Sequence, residues 1–357
     1  MMSDNQVAGA RASEEILRLE DVVKHFPVHG GLLRRGKSSV RAVDGVDLTI
    51  RAGETLGLVG ESGCGKSTLA RTAMKLVPTT SGRIFLEGRE ITNLSRRSMR
   101  PVRRHVQMVF QDPYTSLNPG MTVQRIVSEP LRLHRQPANR ERVAELLHMV
   151  GLSAEHTNRY PHEFSGGQRQ RIGIARAIAL HPRLLILDEP VSALDVSIQA
   201  QIINLLKTLQ ARLQLTYLLI AHDLALVRHA STRVAVMYLG KIVEIGSRAD
   251  IYERPSHPYT QALLSAVPPE SPDERGMRTR IVLRGDPPSP SNPPSGCRFR
   301  TRCWKAQEIC SVEEPALIDR GQGHPVACHF AEALNPLTDV DDAHGAMSSE
   351  AEKGFVT

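Results

Sequence analysis

The sequence predicts an α/β fold in which a parallel β-sheet is covered by helices on both faces. Three observations carry that expectation. Short apolar runs stand at residues 55–59, 106–110, 184–187 and 217–220. Each run ends in a turn or in a polar functional group. Helical patterns alternate with the runs, as expected for strands buried on both sides. Such sheets bind ligands at the C-terminal ends of their strands, so the residues after each run are the candidates for chemistry.

Composition sets the outer limits. The 357 residues leave room for two or three domains, at roughly 100–200 residues each. A hydrophobic content of 41% is enough for a core, which excludes a chain disordered throughout. One Trp, seven Phe and six Tyr argue against an aromatic-rich sugar- or RNA-binding surface. No stretch approaches the roughly 18 apolar residues that span a bilayer. The first residues lack the apolar centre of a secretory signal, so a soluble protein on the cytoplasmic side is expected. The net charge of +7 suits a phosphate-rich partner, an anionic membrane surface or nucleic acid, and equally a solvated basic surface.

Along the chain, residues 1–14 and 336–357 read as mobile tails. Residues 15–254 form the main domain. Within it, residues 112–164 are charged and helix-like, with helices expected at 123–134 and 140–150. From Pro255 to about Pro294 the composition shifts to Pro-rich, which favours extended and turn conformations and marks a linker. It leads into a small module bearing four of the five cysteines, so residues 255–335 form an extension. There is no internal repeat.

The run 55–59 leads into Gly60-Glu61-Ser62-Gly63-Cys64-Gly65-Lys66-Ser67-Thr68, which matches G-x-x-x-x-G-K-[ST], and a helix is expected at 69–77. The glycines let consecutive N–H groups converge on phosphate oxygens, and the helix adds its positive end. Lys66 is expected to reach the β- and γ-phosphates of a nucleotide and Ser67 to ligate Mg²⁺; Cys64 fills space within the loop. The run 184–187 ends in Asp188-Glu189. Asp188 suits the second Mg²⁺ contact, and Glu189 can polarise an attacking water. Ser165, Gly166, Gly167 and Gln168 open an amphipathic helix expected at 169–180, a further anion-binding device.

Taken together, these motifs resemble the ATP-binding subunits of ABC transporters, over most of residues 15–250. Phe164 stands where the family signature usually begins with Leu. The resemblance implies a P-loop NTPase (RecA-like) core with an antiparallel β subdomain, an α-helical subdomain and a Cys-rich C-terminal extension. It further implies that Gln111 senses Mg²⁺ and the attacking water, that Asp195 in PVSALD crosses to a partner subunit, that His222 contacts the γ-phosphate, and that Phe26 stacks on adenine. In this scheme two subunits pack head to tail. ATP held by Lys66 and Ser67 of one is covered by Ser165 and Gly167 of the other, and hydrolysis reopens the pair.

The segment 256–264, the stretch 25–28, the basic insertion 32–37 and residues 43–46 resemble the dipeptide, oligopeptide and nickel importers. That branch implies import of short peptides at the cytoplasmic face of the inner membrane. Its partners are a second, paralogous ATPase subunit, two transmembrane permeases and an extracytoplasmic peptide-binding protein, with no nucleic acid. The insertion is as well explained as a solvated loop as by membrane contact. Nickel or glutathione remain alternative cargoes. A soluble ATPase acting on nucleic acid or ribosomes is the competing class, and usually carries two cores or a long insertion. An exporter subunit is a third, and is often fused to membrane helices.

Cys297, Cys303, Cys310 and Cys328 form C-x5-C-x6-C-x17-C. Clustered cysteines in a cytosolic chain favour metal over disulfides. The spacing lacks the paired C-x2-4-C of structural zinc. Members of the same branch can hold a [4Fe–4S] cluster on such a module, so the resemblance favours that cluster, with Zn²⁺ or free thiols as the alternatives.

Overall fold

The computed structural model describes residues 14–28, 39–267 and 281–334. The basic insertion 32–37 and all but residue 14 of the two expected tails lie outside the described residues.

Two sheets organise the chain. The first is antiparallel and contains β1 (Glu15–Pro27), β2 (Ser39–Arg51), β4 (Ser81–Leu86) and β5 (Arg89–Glu90), in the order β2-β1-β4-β5. The second contains β3 (Thr55–Val59), β6 (Val106–Val109), β7 (Leu184–Asp188), β8 (Thr216–Ile220), β9 (Arg233–Tyr238) and β10 (Lys241–Ser247), in the order β10-β9-β3-β8-β7-β6. Its strands run parallel except for β10, which pairs antiparallel with β9 through the turn at Leu239 and Gly240. The four expected strands are therefore present, within one residue at each end.

The parallel strands read as unbroken apolar runs because both faces are covered. Alternate residues feed separate cores. Leu185, Leu187, Tyr217 and Leu219 pack with the helices that follow residue 116. Leu184, Ile186, Leu218 and Ile220 pack toward the antiparallel sheet. Residues 112–164 are helical as expected, with helices Val123–Leu133 and Arg140–Met149 and short turns of helix on either side.

Two helices start earlier than their apolar periodicity suggests. Lys66–Ala73 begins three residues before 69, because Gly65 at φ 112° turns the chain directly into it; Lys75, at positive φ, stops it before 77. Gly166–Ile178 begins at Gly166 because Ser165 caps it. The expected linker also needs correction at its start. Pro258 occupies the first turn of a helix, Pro258–Ser265, where its missing N–H costs nothing. The His257 ring accepts the Tyr259 N–H at 3.0 Å, and Tyr259 and Thr260 are fully buried. Among the described residues of the expected linker, 281–294 are irregular, and they too touch the core: the Arg41 N–H donates to the Pro290 carbonyl.

The cysteine module closes on the edge of the second sheet. Ala327 and Ile245 exchange backbone bonds across the β10 edge with Val243 and Pro325. Beneath this seam Glu244, fully buried, accepts the Ser256 and His257 N–H groups and meets His324 Nε2 at 2.7 Å. No helix among the described residues is long and apolar enough to cross a membrane.

Candidate nucleotide site

The loop after β3 is wedged between backbones. A Cβ on Gly65 would lie 2.0 Å from the Ala42 carbonyl oxygen, and one on Gly60 would lie 2.2 Å from that of Met237. Both have positive φ, so only glycine fits either place. Ser62 and Gly63 are exposed at the crown. Lys66 is 5% exposed, and its Nζ donates to the carbonyls of Gly60 at 2.7 Å and Glu61 at 3.0 Å. The cation thus lies folded into the loop that a phosphate would fill. Cys64 is buried beside it, and burial pushes its thiol pKa up. Thr68 is half-buried in the first turn of the helix.

Ser67 Oγ donates to Asp188 Oδ1 at 2.7 Å. Asp188 is completely buried, its Oδ2 has no hydrogen-bond donor, and the nearest cation is Arg71 at 3.9 Å. Burial raises the Asp188 pKa, although the Ser67 hydrogen bond pulls the other way. A buried carboxylate with one orphaned oxygen, joined to a hydroxyl, is the donor set a hard cation such as Mg²⁺ requires. These two residues therefore fit the expected metal.

Two of the expected catalytic residues converge on one oxygen of the third. Gln111 Nε2 donates to Glu189 Oε2 at 2.8 Å, and His222 Nδ1 stands 3.4 Å from the same atom. Glu189 holds φ 47°, and its N–H bonds to the Ile220 carbonyl, which turns its side chain away from the course of Asp188. Gln111 follows β6, Glu189 follows β7 and His222 follows β8, so adjacent strand ends bring them together.

The remaining expected contacts are not gathered within this chain. Ser165 is exposed, and it and Gln168 form a reciprocal capping box at 3.3 and 3.1 Å. Gly167 lies tight beneath Ile198, where a Cβ would come within 2.6 Å of the side chain, and Gly166 faces Leu194. Asp195 is exposed at the start of helix Val196–Leu213, and its side chain makes no capping bond. The turn and the Asp195 loop thus form one exposed corner. Phe26 pairs with Val40, two residues from the Ala42 that abuts Gly65; it is 37% exposed, with Lys24 Nζ 4.8 Å from its ring centre.

Sequence reasoning missed Tyr259 and Arg302. The Tyr259 hydroxyl accepts the Glu61 N–H at 2.8 Å, and Arg302 Nη1 donates to Glu61 Oε2 at 2.8 Å. No local motif announces either contact.

The four cysteines Cys297, Cys303, Cys310 and Cys328 line one small cavity with Phe299, and all are free thiols. Burial pushes Cys297 up to about 11 and Cys303 up to about 12. Among the described residues, no three ligating side chains are grouped so as to hold a metal ion. The expected iron–sulfur site is thus brought together as a lining but is not set as a ligand cage.

A family model described as ABC transporter matches residues 43–192. A second, described as oligopeptide/dipeptide transporter, C-terminal region, matches residues 243–310. The chain is 55% identical over 325 residues to the oligopeptide transport ATP-binding protein AppF of Bacillus subtilis, covering 90% of this chain and 99% of the relative. It is 50% identical over 325 residues to the oligopeptide transport ATP-binding protein OppF of Escherichia coli, covering 89% and 97%. Among solved structures, the dimeric post-hydrolysis state of the ATP-binding cassette MJ0796 bound to ADP and Pi superposes with a TM-score of 0.58 at 29% identity, over 65% of this chain and 99% of that one.

Proposed function

This chain belongs to the ABC transporter ATP-binding proteins, and we propose that it hydrolyses ATP to power the import of short peptides. The observation that carries the ATPase reading is the convergence of Gln111 and His222 on Glu189 Oε2, on the strand end beside the Ser67–Asp188 pair.

In this reading the triphosphate draws Lys66 off the Gly60 and Glu61 carbonyls, and the loop N–H groups take the phosphate oxygens. Phe26 offers its exposed ring to adenine. Ser67 and Asp188 would hold Mg²⁺, which supplies charge neutralisation to the phosphates when bound. Glu189 polarises the attacking water, while Gln111 and His222 fix its orientation. Ser165, Gly166, Gly167, Gln168 and Asp195 cover the nucleotide of a second ATPase subunit. The exposure of Ser165 and Asp195 in a single chain supports that role.

Transport is read from the relatives and from two contacts. Arg169 stacks over Tyr114 at 4.2 Å, and Arg176 donates to the Ser116 carbonyl at 2.7 Å. The turn at 112–119 is therefore tied to the helix that begins at Gly166. A permease pressing on that turn would move the nucleotide-covering corner. The partners in this reading are two permeases and an extracytoplasmic peptide-binding protein, with the chain peripheral on the cytoplasmic face of the membrane. The test is ATP hydrolysis by the assembled complex in vesicles. Stimulation by peptide-loaded binding protein supports peptide import; stimulation only by nickel or glutathione would redirect the cargo.

For the cysteine module, the finer reading is a [4Fe–4S] cluster held by Cys297, Cys303, Cys310 and Cys328 as thiolates. What supports it is their shared cavity. Burial raises the thiol pKa values of Cys297, Cys303 and Cys328, so binding them as thiolates must expel protons. Anaerobic purification should yield about four irons and four acid-labile sulfides per chain; stoichiometric zinc without iron would replace the cluster with Zn²⁺.

A further inference from the structure

Glu61, the first variable residue of the phosphate loop, is gripped at three points. Its N–H donates to the Tyr259 hydroxyl at 2.8 Å, its carboxylate accepts from Arg302 at 2.8 Å, and its carbonyl accepts from Lys66 at 3.0 Å. Two of the three partners lie in the C-terminal extension, 198 and 241 residues away in sequence. Both are anchored. Tyr259 is fully buried, its ring centre 4.7 Å from that of Tyr238 and 5.4 Å from that of Phe299. The Arg302 side chain is 8% exposed and precedes Cys303, which lines the cysteine cavity.

These contacts have consequences for an anion-binding loop. The Glu61 N–H is committed to Tyr259, so it fixes the loop and does not point at phosphate. The Glu61 carboxylate brings a negative charge to the loop that must receive a triphosphate. Left uncompensated, it would oppose the nucleotide through a partly desolvated path, where charges interact more strongly than in water. Arg302 cancels that charge with a charge-assisted hydrogen bond. A loop ordered and neutralised beforehand spends less of the nucleotide's binding energy on its own ordering.

We propose that Arg302 and Tyr259 are positioning residues for the nucleotide: by holding Glu61, they make the C-terminal extension a determinant of ATP affinity. The proposal rests on the ATPase reading above. It places the cysteine cavity one residue from the grip on the phosphate loop.

The test uses the full-length chain and Mg-ATP, with steady-state hydrolysis and equilibrium binding measured together. Arg302→Met should raise KM about tenfold and leave kcat within about twofold, as expected when ground-state binding is lost. Arg302→Lys should recover most of that loss, and Tyr259→Phe should raise KM about threefold. The decisive comparison is a double-mutant cycle. In a Glu61→Gln background, Arg302→Met should raise KM by less than about twofold, because no carboxylate remains to be cancelled. An equal penalty in both backgrounds, an unchanged KM in Arg302→Met, or a fall in kcat alone would overturn the proposal. A wild-type chain that neither binds nor hydrolyses Mg-ATP would instead overturn the ATPase reading, and this proposal with it.

Discussion

Helix Lys66–Ala73 and helix Gly166–Ile178 both begin at a glycine-containing turn suited to an anion, yet their surroundings are opposite. At the first, the side chains of Lys66, Ser67 and Glu61 all have partners inside the chain. Lys66 is bonded to its own loop, Ser67 to Asp188, and Glu61 to Tyr259 and Arg302. At the second, Ser165 is exposed and its hydrogen bonds stay within its own first turn, to Gln168 and Arg169. Beside it, Val196 is 81% exposed. The first turn is a receptor ready in one chain. In the proposed function the second covers the nucleotide of a second subunit. That asymmetry is what a nucleotide site divided between two subunits requires.

Substitutions can separate the two turns. The largest effect is expected at Glu189. Glu189→Gln should lower turnover by about a thousandfold, the scale of losing a general base, while Mg-ATP binding persists. Unchanged hydrolysis would remove Glu189 from its role. Next, Lys66→Ala should weaken Mg-ATP binding by about a hundredfold through loss of a charge-assisted contact, as read by titration of the isolated chain. Ser165→Arg should instead leave that titration within about twofold and lower turnover at least about tenfold, because the covering turn acts only across the pair. If both variants lost binding in the isolated chain, the two turns would not belong to separate halves.

A smaller effect sharpens the comparison at the seam between core and extension. Arg298 donates to Asp44 and to the Leu239 carbonyl. Burial alone would raise the Asp44 pKa, but the hydrogen bonds from Arg298 and His25 outweigh it and hold the carboxyl below its ordinary 3.8. The folded chain therefore binds this proton less readily than the unfolded one. The stability from the pair is present above 3.8 and is lost as pH falls through the lower folded value. Urea midpoints from pH 5 to pH 3 should fall, and Arg298→Met should flatten the acid limb. An identical slope in both proteins would contradict the assignment.

Much of the site was legible because its chemistry is local. The loop at 60–68, the Asp188-Glu189 pair and the Ser165 turn are each contiguous, and each follows or precedes an apolar pattern. The antiparallel sheet was legible only in outline. Its β1 strand breaks period two at register shifts between Leu19 and Val22, where Asp21 holds φ 45° and bonds to Asp47. A bulge of that kind erases the alternation on which strand reading depends. The start of the supposed linker misled for another reason. Pro255 and Pro258 signal extended chain by composition, yet His257 and Pro258 together start a helix. The grip on Glu61 had no local signal, because residues so far apart in sequence are brought together by tertiary packing, such as that of Tyr259 and Phe299 against Tyr238 of β9.

The central claim is that Mg-ATP joins two ATPase subunits across the two turns. Sedimentation of the Glu189→Gln chain tests it most directly, alone and mixed with its cognate second ATPase subunit. The account predicts a two-subunit mass with Mg-ATP in at least one of these samples, and single-subunit mass with ADP. Single-subunit mass in every sample at saturating Mg-ATP would contradict it.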